Sequence, residues 1–194
     1  MQRMGAWCLL ACVLSGMTAV AADRDEHVRR ARDTVEQAVD EVLQILRTET
    51  LSDAEKEEAI AEAMDPYLDK RLLGYLALGG RGGFWNRFSD AEQDRFCTLF
   101  AELLTSKYAG LAVDYTDARV SVDEATPITR SGRQVRVLTR AENDGTQVEA
   151  EFKVRVTSSG CGIYDMVTDG VVLTDAYYAD YSRFLAKEDR TPAD

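Results

Sequence analysis

The chain has 194 residues and a single histidine, His27, so imidazole chemistry has little to work with. His27 stands among charged residues in a helical pattern, the setting of a solvated surface side chain. A Ser-His-Asp or Cys-His arrangement therefore lacks a credible base, and a His-rich metal site cannot be assembled. Cysteine is almost as scarce: Cys8 and Cys12 belong to the first 22 residues, and the spacing of Cys97 and Cys161 fits no metal or redox motif. Positive charge is also short. Only 23 Lys and Arg face 34 Asp and Glu, a net charge of −11. That balance argues against nucleic acid and against tight adsorption to anionic headgroups, since both rely on positive patches. No stretch approaches the roughly 20 consecutive apolar residues of a membrane-spanning helix. Asp165 and Asp169 stand at alternating positions of one strand face, a spacing that glycoside hydrolysis would allow, but no Trp-rich sugar surface accompanies them. No catalytic residue, metal ligand or cofactor is assigned.

What is present begins with an export signal. Arg3, an apolar run from Ala6 to Leu14, Gly16 and the small residues Ala19-Val20-Ala21 read as a secretory leader over residues 1–22, cleaved near Ala21 or Ala22. Leu9-Leu10-Ala11-Cys12 is a poor lipoprotein box, because too little apolar sequence precedes it. Removing the leader takes Arg3 and no acidic residue, which moves the net charge to −12. About 170 residues remain, enough for one domain with a sizeable core, assigned to 23–187 with a short tail at 188–194. In an oxidising compartment Cys97 and Cys161 either pair, tying a central helix to a sheet turn, or stay as two small buried side chains.

Helical periodicity dominates the first half. Val28, Ala31, Val35, Ala38, Val42 and Ile45 or Leu46 recur at helical spacing between Arg24 and Arg47, an amphipathic helix with one face on the core. Ser52-Asp53-Ala54-Glu55 is a capping box that opens a helix to about Met64, where Asp65-Pro66 interrupts. A third helical stretch, Tyr67 to Leu78, ends at Gly79-Gly80-Arg81-Gly82-Gly83. This segment does not match a phosphate-binding loop and reads as a hinge or lid. Phe84, Trp85 and Phe88 follow, read as core packing in preference to a plug at a pocket mouth. Ser89-Asp90-Ala91-Glu92 is a second capping box, opening a long helix with Phe96, Leu99, Phe100, Leu103, Leu104 and Tyr108 in an apolar stripe and a stop at Gly110.

After Tyr115 the period becomes two. Val120 and Val122, then Val135, Val137 and Thr139, then Val148, Ala150, Phe152, Val154 and Val156 alternate with polar residues, and Ile163 to Leu173 forms a fourth strand bent at Asp169-Gly170. Ser131-Gly132, Asn143-Asp144-Gly145 and Ser158-Ser159-Gly160 supply the turns. Ala176 to Lys187 closes the chain as a helix. The predicted class is α+β, with N-terminal helices covering one face of a C-terminal four-stranded antiparallel sheet.

Two stretches carry a family resemblance. Gly162-Ile163-Tyr164-Asp165-Met166-Val167-Thr168-Asp169-Gly170-Val171-Val172-Leu173 resembles the strand ending "YDV-x-x-EGVSL" of the MlaC-type, or toluene-tolerance, family of periplasmic phospholipid carriers. Leu78-Gly79, Trp85, Ala91-Glu92-Gln93, Phe96, Phe100, Leu103-Leu104, Tyr108, Leu111 and Tyr115 are similar to that family's central helix and its approach, so the likeness runs from Val28 to Phe184. It implies a periplasmic protein with a pocket between sheet and helices for phospholipid acyl chains, the headgroup lying near solvent. The candidate lining is Val135, Val137, Val148, Ala150, Phe152 and Val154 from the sheet, with Leu76, Leu99, Leu103 and Tyr108 from the helices. It further implies a shuttle that maintains outer-membrane lipid asymmetry, with two partners: an inner-membrane lipid-transport ABC complex and an outer-membrane lipoprotein-porin complex. The chain departs from the pattern in four ways. Cys161 stands where the family has Trp, Tyr178 where it has a basic residue, and the segment after Phe184-Leu185 is short. Gly79 to Gly83 is longer than in relatives.

Two other classes fit the same residues. A non-lipid binding or adaptor module would have the same layers with nothing between them. An enzyme acting on an apolar substrate would need a base deep in the pocket, for which Asp165 is the nominee.

Overall fold

The computed structural model describes the backbone of residues 7–187 and the side chains of residues 21–187. The helices come first and the sheet later, as the periodicities predict, and the two form an α+β domain. Helix α1, Trp7–Leu46, extends back through the predicted cleavage site. The tail assigned to 188–194 lies outside the described residues.

The amphipathic stripe of α1 crosses four strands of the sheet. Ala31 and Val35 are almost completely buried against Val135, Val137, Val154, Val156 and Ile163, and alanine at position 31 brings the helix close to the strands. Further along, Leu43 and Leu46 meet Ile60 of α2 (Asp53–Met64) and Ala109 of α4 (Asp90–Val113). Both capping boxes form: the Ser52 and Ser89 side chains accept from the backbone N–H of Glu55 and Glu92, whose carboxylates return bonds of 2.8 Å to the serine N–H groups. Helix α4 passes the predicted stop at Gly110 and ends at Val113; glycine there costs helix propensity without breaking the ladder.

The third helical stretch starts later than its periodicity predicts. Residues 65–67 form a single 3₁₀ turn, Leu68 is extended and bridges Ile163, and α3 runs only from Lys70 to Ala77. Asp69 explains the shift. Its Oδ1 accepts from Leu72 N–H at 3.1 Å, its Oδ2 accepts from Arg155 Nε at 2.6 Å, and its own N–H donates to Ile163 O at 2.8 Å. One aspartate thus caps a helix and fastens it to the sheet. The approach requires glycine at 162, where a Cβ would stand 2.9 Å from Asp69 Cβ.

The Gly79–Gly83 segment is a packed turn rather than the expected hinge or lid. Gly79 has φ +79°, and a Cβ on it would meet the Tyr178 ring at 2.3 Å; one on Gly83 would meet Leu78 O at 2.1 Å. Phe84 N–H closes the turn onto Leu78 O at 2.7 Å. Gly79 and Gly83 serve close approach, and Trp85 and Phe88 pack in one cluster with Leu78, Cys97 and Leu185.

The sheet has five strands among the described residues, one more than predicted, in the order β1 (Arg119–Pro127), β2 (Gln134–Asn143), β3 (Thr146–Val156), β4 (Cys161–Thr168) and β5 (Val171–Val172), all antiparallel. Asp169 (φ +52°) and Gly170 (φ +74°) both adopt the left-handed conformation of a two-residue hairpin turn, so the predicted bend reverses the chain. Val171 and Val172 fold back on Thr168 and Val167, and α5 begins at Leu173 and ends at Leu185. The thiols of Cys97 and Cys161 are free. Cys97 is buried between α4 and Gly74 of α3, whereas Cys161 starts β4 at the edge of the core on α1, so the two belong to separate clusters and the alternative of a bridge is not realised.

Candidate ligand-binding cavity

The helical layer does not close on the sheet everywhere. Where α1 gives way to its C-terminal half, a cavity of about 380 Å³ remains between the layers. Val39, Val42, Leu43 and Leu46 of α1 and Ile60 and Met64 of α2 form one wall. Leu104, Tyr108 and Ala112 of α4 form another, and Val120, Ala141, Val148, Phe152 and Met166 supply the sheet side. Register places the sheet residues together: Ala141 pairs with Val148 and Phe152 with Met166 across neighbouring strands. Leu111, also lining, is half exposed and marks the opening beside the end of α4.

Polar groups in the lining are few, and the one carboxylate among them is occupied. Asp165 is 3% exposed, yet its Oδ1 accepts from Met166 N–H at 3.0 Å and Thr174 N–H at 3.2 Å, while Oδ2 accepts from Lys153 Nζ at 2.9 Å. This carboxylate ties the first turn of α5 to the sheet. Both oxygens of the nominated base are therefore held, and Asp169 is exposed in the hairpin turn, so the two do not face a common substrate position. Burial pushes the Tyr108 phenol above its ordinary value, against the opposing charge of Lys107, and leaves it a neutral, largely apolar wall element. Among the described residues no cluster of three or more His, Cys, Asp or Glu could hold a metal ion.

The ten residues predicted as lining fall into three groups. Tyr108, Val148 and Phe152 border the cavity. Val135, Val137 and Val154 share the inward sheet face, but they are 0% exposed in the dry core beneath Ala31 and Val35, and Ala150, on the same face, also stands outside the lining. Leu76 is partly buried away from the cavity, and Leu99 and Leu103 are 51% and 46% exposed. The physical reason is the helical period: Phe100, Leu104 and Tyr108, four apart, turn inward, and the positions one residue earlier turn out by about 100°. The walls from α1 and α2 were missing from the prediction, although Val42 and Leu46 belong to its α1 stripe. Apolar periodicity marks the inward face of a helix and says nothing of whether a gap lies before it.

A family model described as "MlaC protein" matches residues 36–192. The chain belongs to the MlaC family. This MlaC-family chain also resembles a solved structure, the phospholipid-binding protein from Ralstonia solanacearum in complex with a phospholipid. The TM-score is 0.72 and the identity 22%, over 84% of this chain and 90% of that one. A likeness at that identity establishes a shared fold. No curated protein matches the chain.

Proposed function

We propose that this MlaC-family protein is a periplasmic carrier that takes phospholipid acyl chains into the cavity between its helices and sheet and acts by binding rather than catalysis. The observation that carries this reading is the cavity itself: apolar walls, an opening beside Leu111, and one buried carboxylate with both oxygens occupied. Acyl chains make no hydrogen bonds, so a wall of mainly apolar side chains suits them, whereas a strongly polar ligand would leave most of its own groups unsatisfied. The phospholipid in the Ralstonia solanacearum protein of the same fold supports the choice of ligand.

Energetics define the role. Two chains with about 30 methylenes in all gain roughly 24 kcal/mol on leaving water, at about 0.8 kcal/mol per methylene. A bilayer offers about the same. Such a protein shields lipid in transit, and direction comes from its partners: an inner-membrane lipid-transport ABC complex at one end and an outer-membrane lipoprotein-porin complex at the other, in keeping outer-membrane lipids asymmetric. The acidic surface suits a carrier that must leave anionic headgroups after each visit.

A transfer assay tests this. Mature protein incubated with vesicles containing labelled phospholipid, then separated from them, is expected to carry label in a soluble one-to-one complex and to release it to unlabelled acceptor vesicles. Protein that stays unlabelled while correctly folded would refute the carrier role and favour an adaptor built on the same layers.

A further inference from the structure

Positive charge is scarce in this chain, and part of it is gathered in one place. A cleft of about 530 Å³ lies at the end of the sheet away from the apolar cavity, and Arg30, Arg133, Arg155 and His27 border it with a single carboxylate, Asp23. The two sites share no residue. Register separates them: the paired residues Ala141 and Val148 of the cavity and Gln134 and Arg155 of the cleft stand at opposite ends of β2 and β3. Three segments build the walls of the cleft, and each is fastened to another. Arg30 Nη2 on α1 donates to Thr157 O at 3.2 Å, His27 Nδ1–H donates to Ser131 O at 3.0 Å, and Val156 N–H donates to Arg133 O at 2.8 Å. Gly132 (φ +71°) lets the turn between β1 and β2 reach α1, where a Cβ would stand 2.7 Å from Arg24 Cγ. The His27 side chain, expected in solvent, is only 12% exposed. The fold itself sets the shape of this cleft.

Its donors are in surplus. Among the described residues Arg133 bonds only through its backbone, and its guanidinium has no partner. Arg30 meets a carbonyl and no carboxylate. Arg155 gives Nε and Nη2 to Asp69, which leaves Nη1. Asp23 is 68% exposed and stands 3.6 Å from His27 Nε2, so it answers the imidazole rather than the guanidiniums. A guanidinium presents five N–H donors in a rigid fork that matches the oxygens of a phosphate. We propose that this cleft is an oxyanion site, separate from the acyl-chain cavity, that takes a phosphate group on Arg30 and Arg133 with a further donor from Arg155. Its volume falls within the range of about 300–1,000 Å³ usual for small-ligand sites. The chain as a whole repels anions, and such a local cluster is what overcomes that repulsion. A free phosphate-bearing anion and the headgroup of a lipid share this chemistry.

Calorimetric titration with inorganic pyrophosphate at low ionic strength tests this, and the wild type is expected to show one saturable site. Arg133→Gln should weaken binding by about tenfold or more, the scale of a charge-assisted hydrogen bond. The melting temperature without ligand should not change, because that guanidinium fastens nothing in the fold. Arg136→Gln removes an arginine that pairs with Glu151 at 3.2 Å outside the cleft, and it should bind as the wild type does. Vesicles identify the source of the phosphate: displacement of pyrophosphate by phosphatidylglycerol vesicles assigns it to a lipid headgroup, and no displacement assigns it to a free anion. A loss in Arg136→Gln equal to that in Arg133→Gln means an adventitious ion only, drawn by general charge, and overturns the proposal. Wild-type protein without saturable binding overturns it too, as does an Arg133→Gln variant that binds like the wild type. Lipid seen by native mass spectrometry should be the same in all three proteins, so failure here leaves acyl-chain binding standing.

Discussion

Replacing Asp165 by Asn separates a structural carboxylate from a catalytic one. The substitution keeps the shape and an Oδ1 able to accept from Met166 and Thr174 N–H, but it removes the charge that holds Lys153 at 2.9 Å. Asp165 is 3% exposed and the Lys153 side chain 24%, so the lysine is left in a poorly hydrated position facing an amide that also presents donors. Breaking a buried pair on one side costs about 3–5 kcal/mol, and the partial exposure of Lys153 lowers the expectation here to about 2–4 kcal/mol. Urea unfolding followed by circular dichroism should show the unfolding free energy falling by that amount, through a lower midpoint at unchanged slope. Lys153→Met should cost a similar amount by leaving the carboxylate unpaired. The double variant should recover about 1–3 kcal/mol of the summed loss, the coupling expected of residues in direct contact. An Asp165→Asn protein within about 0.5 kcal/mol of wild type would refute the assignment of Asp165 as the fastener of α5 and reopen its nomination as a base.

Gly79→Ala should destabilise by about 1–3 kcal/mol, since it combines a positive φ with a Cβ 2.3 Å from the Tyr178 ring; thermal unfolding within about 0.5 kcal/mol of wild type would restore the mobile segment expected from sequence. Leu99→Ser and Leu103→Ser should change stability by less than about 0.5 kcal/mol and leave lipid occupancy intact, because both side chains are about half exposed outside the cavity; lost occupancy would move the site to the outer face of α4. Bonds from Ser52 and Ser89 hold the carboxyls of Glu55 and Glu92 below their ordinary 4.5 in the folded protein. Their contribution is present above the unfolded-state value and is lost as pH falls through the lowered folded-state values. Ser52→Ala and Ser89→Ala should therefore flatten the acid limb of melting temperature against pH below about 4.5, and an unchanged limb would contradict the capping account.

Much of this architecture is legible in sequence, because periodicity and capping are local. Ser52 and Ser89 announce their helices, and the alternation of β3 places Phe152 and Val154 on the inward face where the structure has them. Depth behind that face is not local. Val154 is sealed by Ala31 and Val35, whereas Phe152, two residues away, borders the cavity, and nothing in the strand's own pattern distinguishes them. Leu99 and Leu103 belong to one apolar stripe of α4 and Phe100 and Leu104 to its neighbour, and only the placement of α3 and α5 decides which is buried. Asp69 reads as one more acidic residue until Arg155 and Ile163, about 90 positions away, arrive beside it. The fifth strand was hidden in two residues, Asp169 and Gly170, whose conformation turns a bend into a hairpin.

The most direct test of the central claim is the mass of the purified protein under native conditions, before and after organic extraction. The account predicts a mass excess matching phospholipid that extraction removes. Phe152→Asp should abolish the excess, because an unpaired carboxylate among acyl chains must be desolvated at several kcal/mol or neutralised. Glu151→Ser, on the opposite face of β3, should retain it. Wild-type protein whose native mass equals that of the bare chain, or a folded Phe152→Asp variant that keeps its lipid, would contradict the claim that this cavity holds phospholipid.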